Sequence, residues 1–418
     1  MLYRSPYQIR DSDQTINEIT KCSEIVIYGT GNLGALALHA FNNMGIKVNC
    51  YCDDNKNNWG KYYKELKIIS PNQLKSEYPN AAIVIASMQF NLLSEQVKKL
   101  GFSRVYSCDF LFMRVDLTGI QTMNGKRQSL AFSWPINKLV NTLDLYMYTI
   151  AAQKEPHLIK IKTLDVVTSE ACSLKCQDCA HLMQYYTKPI NCDTDLIFAS
   201  LDLFMQNIDD LHEARVIGGE PFMNKNLLSI IEKLSSYDNC YNIAILTNGT
   251  ILPKEDVAKR FKEMKVTFVI SDYGEEISKK ASSLEKLLDK MQIPFVSEKY
   301  DTWQDVGGFN YDNRSKEELR QIFNSCGVND ALTLLHGKLY PCPFSAHAEN
   351  LRAIPLTPNE SVDLVEEQEE KLREKILSLI SDKEYIQACK FCKGRRYTAG
   401  IIPAAVQTRK PLSYKIVS

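Results

Sequence analysis

The sequence predicts an α/β protein built on two successive parallel sheets, followed by a small cysteine-bearing C-terminal extension. Three observations carry this reading. Apolar strand-like runs alternate with amphipathic helical runs from Ser23 to Leu111, and again from Ile159 onward. Glycine turns stand at the ends of several of those strands. Cysteines gather in two groups, one just behind the first strand of the second region and one near the C-terminus.

In the first region, SEIVIYGTGNLGALALHAFNNMGIKVNCYCDDN reads as strand, glycine turn, helix, strand and acidic turn. AAIVIAS and RVYSC add strands, and LLSEQVKKLGF adds a helix. This order predicts a Rossmann-like parallel sheet, in a length that suits about half of a doubly wound domain. Gly29, Gly31 and Gly34 form a G-x-G-x-x-G between strand and helix, and Asp53 and Asp54 follow the next strand. In that context the glycines suit a phosphate at the helix N-terminus, and Asp53 suits a ribose hydroxyl. A scaffold that keeps the glycine turn for packing fits the same residues. The predicted boundaries are 1–115 for this domain, 116–158 for a bridging linker, 159–320 for the second region, 321–400 for the extension and 401–418 for a tail.

The second region opens with the strand IKTLDVVTS, which runs into Cys172-Ser-Leu-Lys-Cys176-Gln-Asp-Cys179. ARVIGGEPF, YNIAILTNGT, VTFVISDYG and IPFVSEKY follow as strands. NKNLLSIIEKLSS, KEDVAKRFKEMK and EEISKKASSLEKLLDKM separate them as helices. Such alternation predicts a partial β/α barrel with its chemistry at the strand ends. Three thiolates on one C-x3-C-x2-C loop can ligate three irons of a [4Fe–4S] cube and leave the fourth iron open. A zinc loop, with His181 as the nearby fourth ligand, is the alternative. Gln184, Tyr185 and Tyr186 behind the loop read as core.

In the extension, ALTLLHGKLYPCPF reads as a hairpin around His336-Gly337-Lys338, with His336 and His347 as surface or supporting groups. ESVDLVEEQEEKLREKILSLISDKEYIQ reads as one long charged helix that ends at Cys389-Lys-Phe-Cys392. The remaining cysteines, Cys22, Cys50, Cys52, Cys108, Cys192 and Cys240, read as small buried hydrophobes.

The cysteine loop and its companions resemble the radical S-adenosylmethionine superfamily over roughly Ile159 to Cys392. Gly218-Gly219-Glu220-Pro221 is similar to the family's glycine-glycine-glutamate-proline segment. The resemblance implies that its backbone and Glu220 hold the methionine amino group. Thr247-Asn248-Gly249-Thr250 and Ser271-Asp272 end the next two strands, in the family's order. They imply contacts to the ribose or carboxylate through Asn248, Ser271 and Asp272. One position departs from the family: the residue before the last loop cysteine is often aromatic and packs near adenine, and here it is Asp178. Downstream, Cys326, Gly337, Cys342, Cys389 and Cys392 resemble the auxiliary-cluster extension called SPASM, in its shortened twitch form. This implies a second [4Fe–4S] cluster on Cys326, Cys342, Cys389 and Cys392; a four-cysteine zinc site suits the same spacing. The N-terminal segment resembles Rossmann-like domains of sugar-modifying and surface-polysaccharide enzymes.

The family chemistry implied is one-electron cleavage of S-adenosylmethionine to a 5′-deoxyadenosyl radical that abstracts a substrate hydrogen. A sugar or nucleotide sugar, oxidised or epimerised, is the expected substrate, and a peptide or protein is the alternative. An electron donor such as flavodoxin or ferredoxin is the expected partner. Lys+Arg and Asp+Glu both total 50, so no net charge draws the chain to nucleic acid. No apolar run reaches the ~20 residues of a membrane span, and MLYRSPYQIRDSDQ is too polar for a signal peptide. A cytoplasmic location is expected by default.

Overall fold

The structure is a computed structural model that describes residues 2–415, except 6, 8–11, 119–135, 265, 356, 358, 382, 397 and 398. It divides into two compact units, Met1–His157 and Leu158–Ser418.

The first unit is ordered by short, fully apolar strands. Ile25–Tyr28 and Ala82–Ile85 are buried at every position, which requires cover on both faces. The sheet runs Tyr62–Tyr63, Leu66–Ile69, Cys50–Cys52, Ile25–Tyr28, Ala82–Ile85, Val105–Ser107. All neighbours pair in parallel except the first two. Taken in chain order, the five parallel strands lie 3-2-1-4-5, which crosses the switch point of a doubly wound sheet. The unit therefore holds more than the half-domain its length suggested. The saving comes from strands of three or four residues. It also comes from the Cys52–Leu66 crossover, which carries a short 3-10 turn and the edge strand but no α-helix. In the predicted linker, a helix spans Ile136–Lys154; residues 119–135 lie outside the described residues.

In the second unit one eight-stranded sheet runs Phe295–Lys299, Val266–Asp272, Cys240–Thr247, Asp210–Gly218, Lys160–Ser169, Ala331–Leu335, Lys338–Tyr340, Val362–Asp363. The first six strands are parallel. Helices Thr194–Gln206, Leu227–Ser235, Glu255–Glu263 and Ala281–Met291 connect the strands. Leu201, Phe204, Ile230, Leu284 and the strand residues Leu164, Val166, Val216, Ile245 and Phe268 form one buried core. Each such side chain contributes roughly 1.5–3 kcal/mol on burial. With helices on one face, the alternate strand residues look the other way.

The His336-Gly337 hairpin forms as expected, both residues taking positive φ. Its first strand pairs directly with Lys160–Ser169, so the hairpin extends the main sheet. The long charged helix is shorter than expected. Val362 pairs with Leu339 at the sheet edge, and the Asp363 carboxylate accepts the N–H groups of Val365 and Glu366 at 3.2 and 3.0 Å. That turn delays the helix to Glu369–Ile380. No helix among the described residues is long and apolar enough to cross a membrane.

Candidate functional site

In the second unit the parallel strands all end at one edge, and the chemistry-bearing loops follow from there. Lys160–Ser169 leads to Cys172, and Asp210–Gly218 leads to Gly219-Glu220-Pro221. Cys240–Thr247 leads to Asn248, and Val266–Asp272 ends on Ser271-Asp272. A register shift at Ile217/Gly218 bends the second of these against the first. Gly219 N donates to Ser169 O at 2.7 Å, and Glu220 N to Ala171 O at 2.9 Å. A Cβ on Gly219 would strike the Ala171 carbonyl and lie 2.8 Å from Cys172 Cβ. Glycine is what lets this backbone lie against the cysteine loop.

Glu220 is fully buried. Its carboxylate accepts Asn248 N at 2.8 Å, Thr247 Oγ1 at 2.9 Å and Phe222 N at 3.3 Å. Burial pushes its pKa up to about 7, against those three donors. The carboxylate is thus committed to tying two strand ends together, and Gly218–Gly219 present backbone. Asn248 Nδ2 donates to Cys172 Sγ at 3.5 Å and to Ser173 Oγ at 3.2 Å. Asp272 Oδ1 accepts Gly274 N at 2.8 Å.

The loop sulfurs accept N–H groups. Cys172 takes Leu174 N at 3.4 Å, and Cys176 takes Gln407 Nε2 at 3.2 Å. Cys179 draws on backbone groups around His181–Met183. Burial pushes all three thiols up, Cys176 to about 11. Such groups become thiolates when a cationic centre binds them.

Comparisons with known proteins give partial matches. A family model described as "C2185-like, N-terminal" matches residues 21–105. GTP 3',8-cyclase of Campylobacter jejuni subsp. doylei is 32% identical over 105 residues, 25% of this chain and 32% of the cyclase. An uncharacterized protein of Methanocaldococcus jannaschii is 31% identical over 122 residues, 28% of this chain and 41% of that one. The chain thus spans about a third of the length of the cyclases it matches. Among solved structures, BtrN in complex with AdoMet and 2-DOIA is 16% identical, covering 61% of this chain and 98% of that one at a TM-score of 0.40. Likeness at that level says nothing of function. The parallel sheet of the second unit and the order of the loops at its strand ends accord with the resemblance that the sequence carries.

The cysteine loop fits the cluster that the resemblance implies: three sulfurs on one short loop, buried or partly buried, each with N–H donors. Among the described residues, no three His, Cys, Asp or Glu groups converge tightly enough to hold a single metal ion.

The four downstream cysteines come together. Cys326 follows the helix Lys316–Asn324, Cys342 caps Pro343–Asn350, and Cys389 and Cys392 lie on and after a 3-10 turn. All four line one pocket, along with Ala180, His181 and Arg395. Their sulfurs also accept N–H groups: Ser345 N to Cys342 at 3.4 Å, Gly394 N to Cys392 at 3.2 Å and Arg395 N to Cys326 at 3.4 Å. Arg314 pins the Cys389–Cys392 turn through both carbonyls, at 2.7 and 2.8 Å.

Several residues escaped the sequence reading. Tyr273 directly follows Ser271-Asp272, senses all three loop cysteines, and packs edge-on to Trp303 at 5.4 Å. On the face away from the helices, Asp165, Arg215 and Thr333 share one register row. Arg215 Nε donates to Asp165 Oδ1 at 2.6 Å, while buried Asp165 Oδ2 and Thr333 Oγ1 have no partner among the described residues. His347, expected as a surface or supporting group, is buried and supporting; its Nδ1 meets Tyr186 OH at 2.9 Å and its ring lies 6.0 Å from His181. Glu170 accepts His336 Nε2 at 2.8 Å and Asn350 Nδ2 at 2.7 Å. The signal for these last groups is tertiary, not local.

In the first unit, Gly31 starts the helix Asn32–Asn43 with open space around it. A Cβ on Gly34 would strike the Gly29 carbonyl, so that glycine serves helix–strand packing. Asp53 turns back onto the loop: its Oδ2 accepts both Thr30 N, at 3.0 Å, and Thr30 Oγ1, and its Oδ1 accepts Asn55 N at 2.8 Å. The acid expected at a ribose is engaged in holding the glycine turn.

Proposed function

We propose that the protein is a radical S-adenosylmethionine enzyme that oxidises or epimerises a sugar or nucleotide sugar. The convergence of Cys172, Gly219, Asn248 and Ser271 at one sheet edge carries the reading. When bound, the [4Fe–4S] cluster and S-adenosylmethionine supply a reductive cleavage whose product abstracts a substrate hydrogen. Cys172, Cys176 and Cys179 hold the cluster. The Gly218–Gly219 backbone offers acceptors to the methionine ammonium, with Glu220 fixing the Thr247–Asn248 turn beside it. Tyr273 gives adenine an apolar face.

The Asp165–Arg215–Thr333 row supports a hydroxyl-rich substrate. An unused carboxylate oxygen and an unused hydroxyl in a buried place are costly, roughly 1–3 kcal/mol each, unless a ligand meets them. Vicinal hydroxyls can donate to Asp165 and Thr333 and accept from Arg215. The GTP 3',8-cyclases bear, in their name, a nucleotide substrate, which accords with a nucleotide-linked sugar. Cys326, Cys342, Cys389 and Cys392 hold a second cluster that takes part in the later electron step. A soluble one-electron donor such as flavodoxin or ferredoxin supplies the first unit of reducing power.

The test is anaerobic incubation of reconstituted protein with S-adenosylmethionine, reductant and a panel of nucleotide sugars. A sugar that raises 5′-deoxyadenosine formation supports the reading, and Thr333→Val should blunt that rise while leaving the protein as stable or more so. Stimulation by peptides alone would replace it with a peptide-modifying role.

A further inference from the structure

We propose that Gln407, in the segment after the last cysteine, is a positioning residue for Cys176 that sets the reduction potential of the cluster at Cys172, Cys176 and Cys179. The inference rests on the radical reading above and concerns a residue outside every motif that supports it.

The C-terminal segment is a strap. Ile401–Pro403 pairs with Thr302–Gln304, and the chain then turns at buried Ala405, which takes a φ of +52°. Gln407 next forms an antiparallel bridge with Cys176. Gln177 N donates to Val406 O at 2.7 Å, and Thr408 N donates to Lys175 O at 2.7 Å, so main-chain bonds flank the cysteine on both sides. Leu412 N to Gln184 O at 2.8 Å and Tyr414 OH to Leu351 O at 2.9 Å anchor the far end.

The Gln407 side chain completes this contact. Its Oε1 accepts Lys175 N at 2.8 Å. That donor fixes which end of the amide is oxygen, so Nε2 faces the sulfur. Nε2 donates to Cys176 Sγ at 3.2 Å and to Ala405 O at 2.7 Å. Although the residue is exposed, its one acceptor and both donor hydrogens are used. Cys172 and Cys179 draw N–H groups from their own loop and from the adjacent strand end. Cys176 draws its side-chain donor from the strap, 231 residues away.

An N–H dipole aimed at a cluster thiolate stabilises the reduced, more negative state and so raises the potential. Gln407→Leu keeps the bulk and removes the dipole. Gln407→Glu keeps an acceptor for Lys175 N but turns negative charge toward the sulfur.

The experiment is a potentiometric titration of full-length, anaerobically reconstituted protein, followed by electron paramagnetic resonance without S-adenosylmethionine. Gln407→Leu should move the midpoint of the Cys172 cluster to a more negative value, and Gln407→Glu should move it further. The cluster on Cys326, Cys342, Cys389 and Cys392 should keep its midpoint. Loss of the first cluster alone from Gln407→Leu would equally mark Gln407 as holding Cys176. A loaded first cluster with the wild-type midpoint in both variants would overturn the proposal while leaving the radical reading intact. Wild-type iron that is undiminished by Cys172/Cys176/Cys179→Ala would overturn both.

Discussion

The two cysteine groups are assembled in opposite ways. Cys172, Cys176 and Cys179 lie on one loop, and the fold has only to bring the neighbouring strand ends to them. Cys326, Cys342, Cys389 and Cys392 come from three separated segments and meet only when the end of the Lys316–Asn324 helix, the start of the Pro343–Asn350 helix and the Cys389 turn pack together around an apolar pocket. The first group has three cysteines and polar neighbours, among them Asn248 and Ser173. The second has four cysteines and walls such as Ile322, Phe344 and Ile386. On the proposed reading, an incomplete ligand set would leave an iron open for chemistry, and a complete one in apolar surroundings would suit electron storage.

The sharpest way to break this contrast is to empty each group in turn. Cys172/Cys176/Cys179→Ala should abolish 5′-deoxyadenosine formation and leave about half of the roughly eight irons that two cubanes hold. Iron analysis and product chromatography on anaerobic protein check both halves. Continued 5′-deoxyadenosine formation would remove the loop from the chemistry.

Emptying the other group should have a smaller effect on the first step. Cys389→Ala with Cys392→Ala should also remove about half the iron, yet keep measurable uncoupled cleavage of S-adenosylmethionine while substrate turnover is lost. Zinc in place of iron there, in protein handled without oxygen, would make the second group structural.

A third test probes the close approach on which the loop group depends. Gly219→Ala puts a methyl against the Ala171 carbonyl and Cys172 Cβ. Overpacking of this kind costs about 1–3 kcal/mol. We expect a lower denaturant midpoint and weaker retention of the first cluster, with the second cluster's iron unchanged.

The smallest effect concerns His347, which stands between the groups through Tyr186 and His181. Burial holds its pKa down to about 4, with the Glu170 charge opposing and the His336 charge assisting. An unfolded histidine titrates near 6.5, so the native state binds fewer protons between those values. The stability from keeping this ring neutral is complete above about pH 6.5 and is lost as pH falls from there through about 4, on the order of 3 kcal/mol in all. Melting temperatures of metal-free protein between pH 4.5 and 7 should fall less steeply on acidification for His347→Gln than for wild type. Parallel curves would place the acid sensitivity elsewhere.

Much of the second unit was legible because its signals are local. Strand, turn and helix residues alternate with the right periods, and the loop cysteines are four and three residues apart. The hairpin at His336-Gly337 was equally plain, since both residues must take positive φ. What misled was also local evidence read too far. The charged run after Glu360 has helical composition, but Asp363 and the strand pairing of Val362 outweigh it. Asp53 was legible as the acid after the second strand, and the structure adds that Thr30 in the glycine turn donates to its carboxylate.

The sequence alone determined the succession of two parallel sheets, the cysteine loop and the glycine-rich strand ends, because each depends on neighbours within a few residues. Only the tertiary structure decided three things. The partner of Glu220 is the next strand end, Asp165, Arg215 and Thr333 form one row, and Gln407 reaches Cys176 from beyond the last cysteine. The physical reason is the same for all three. A buried carboxylate or a thiolate takes whichever donor the packed backbone delivers, and strand register and chain return, not sequence spacing, set which donor that is.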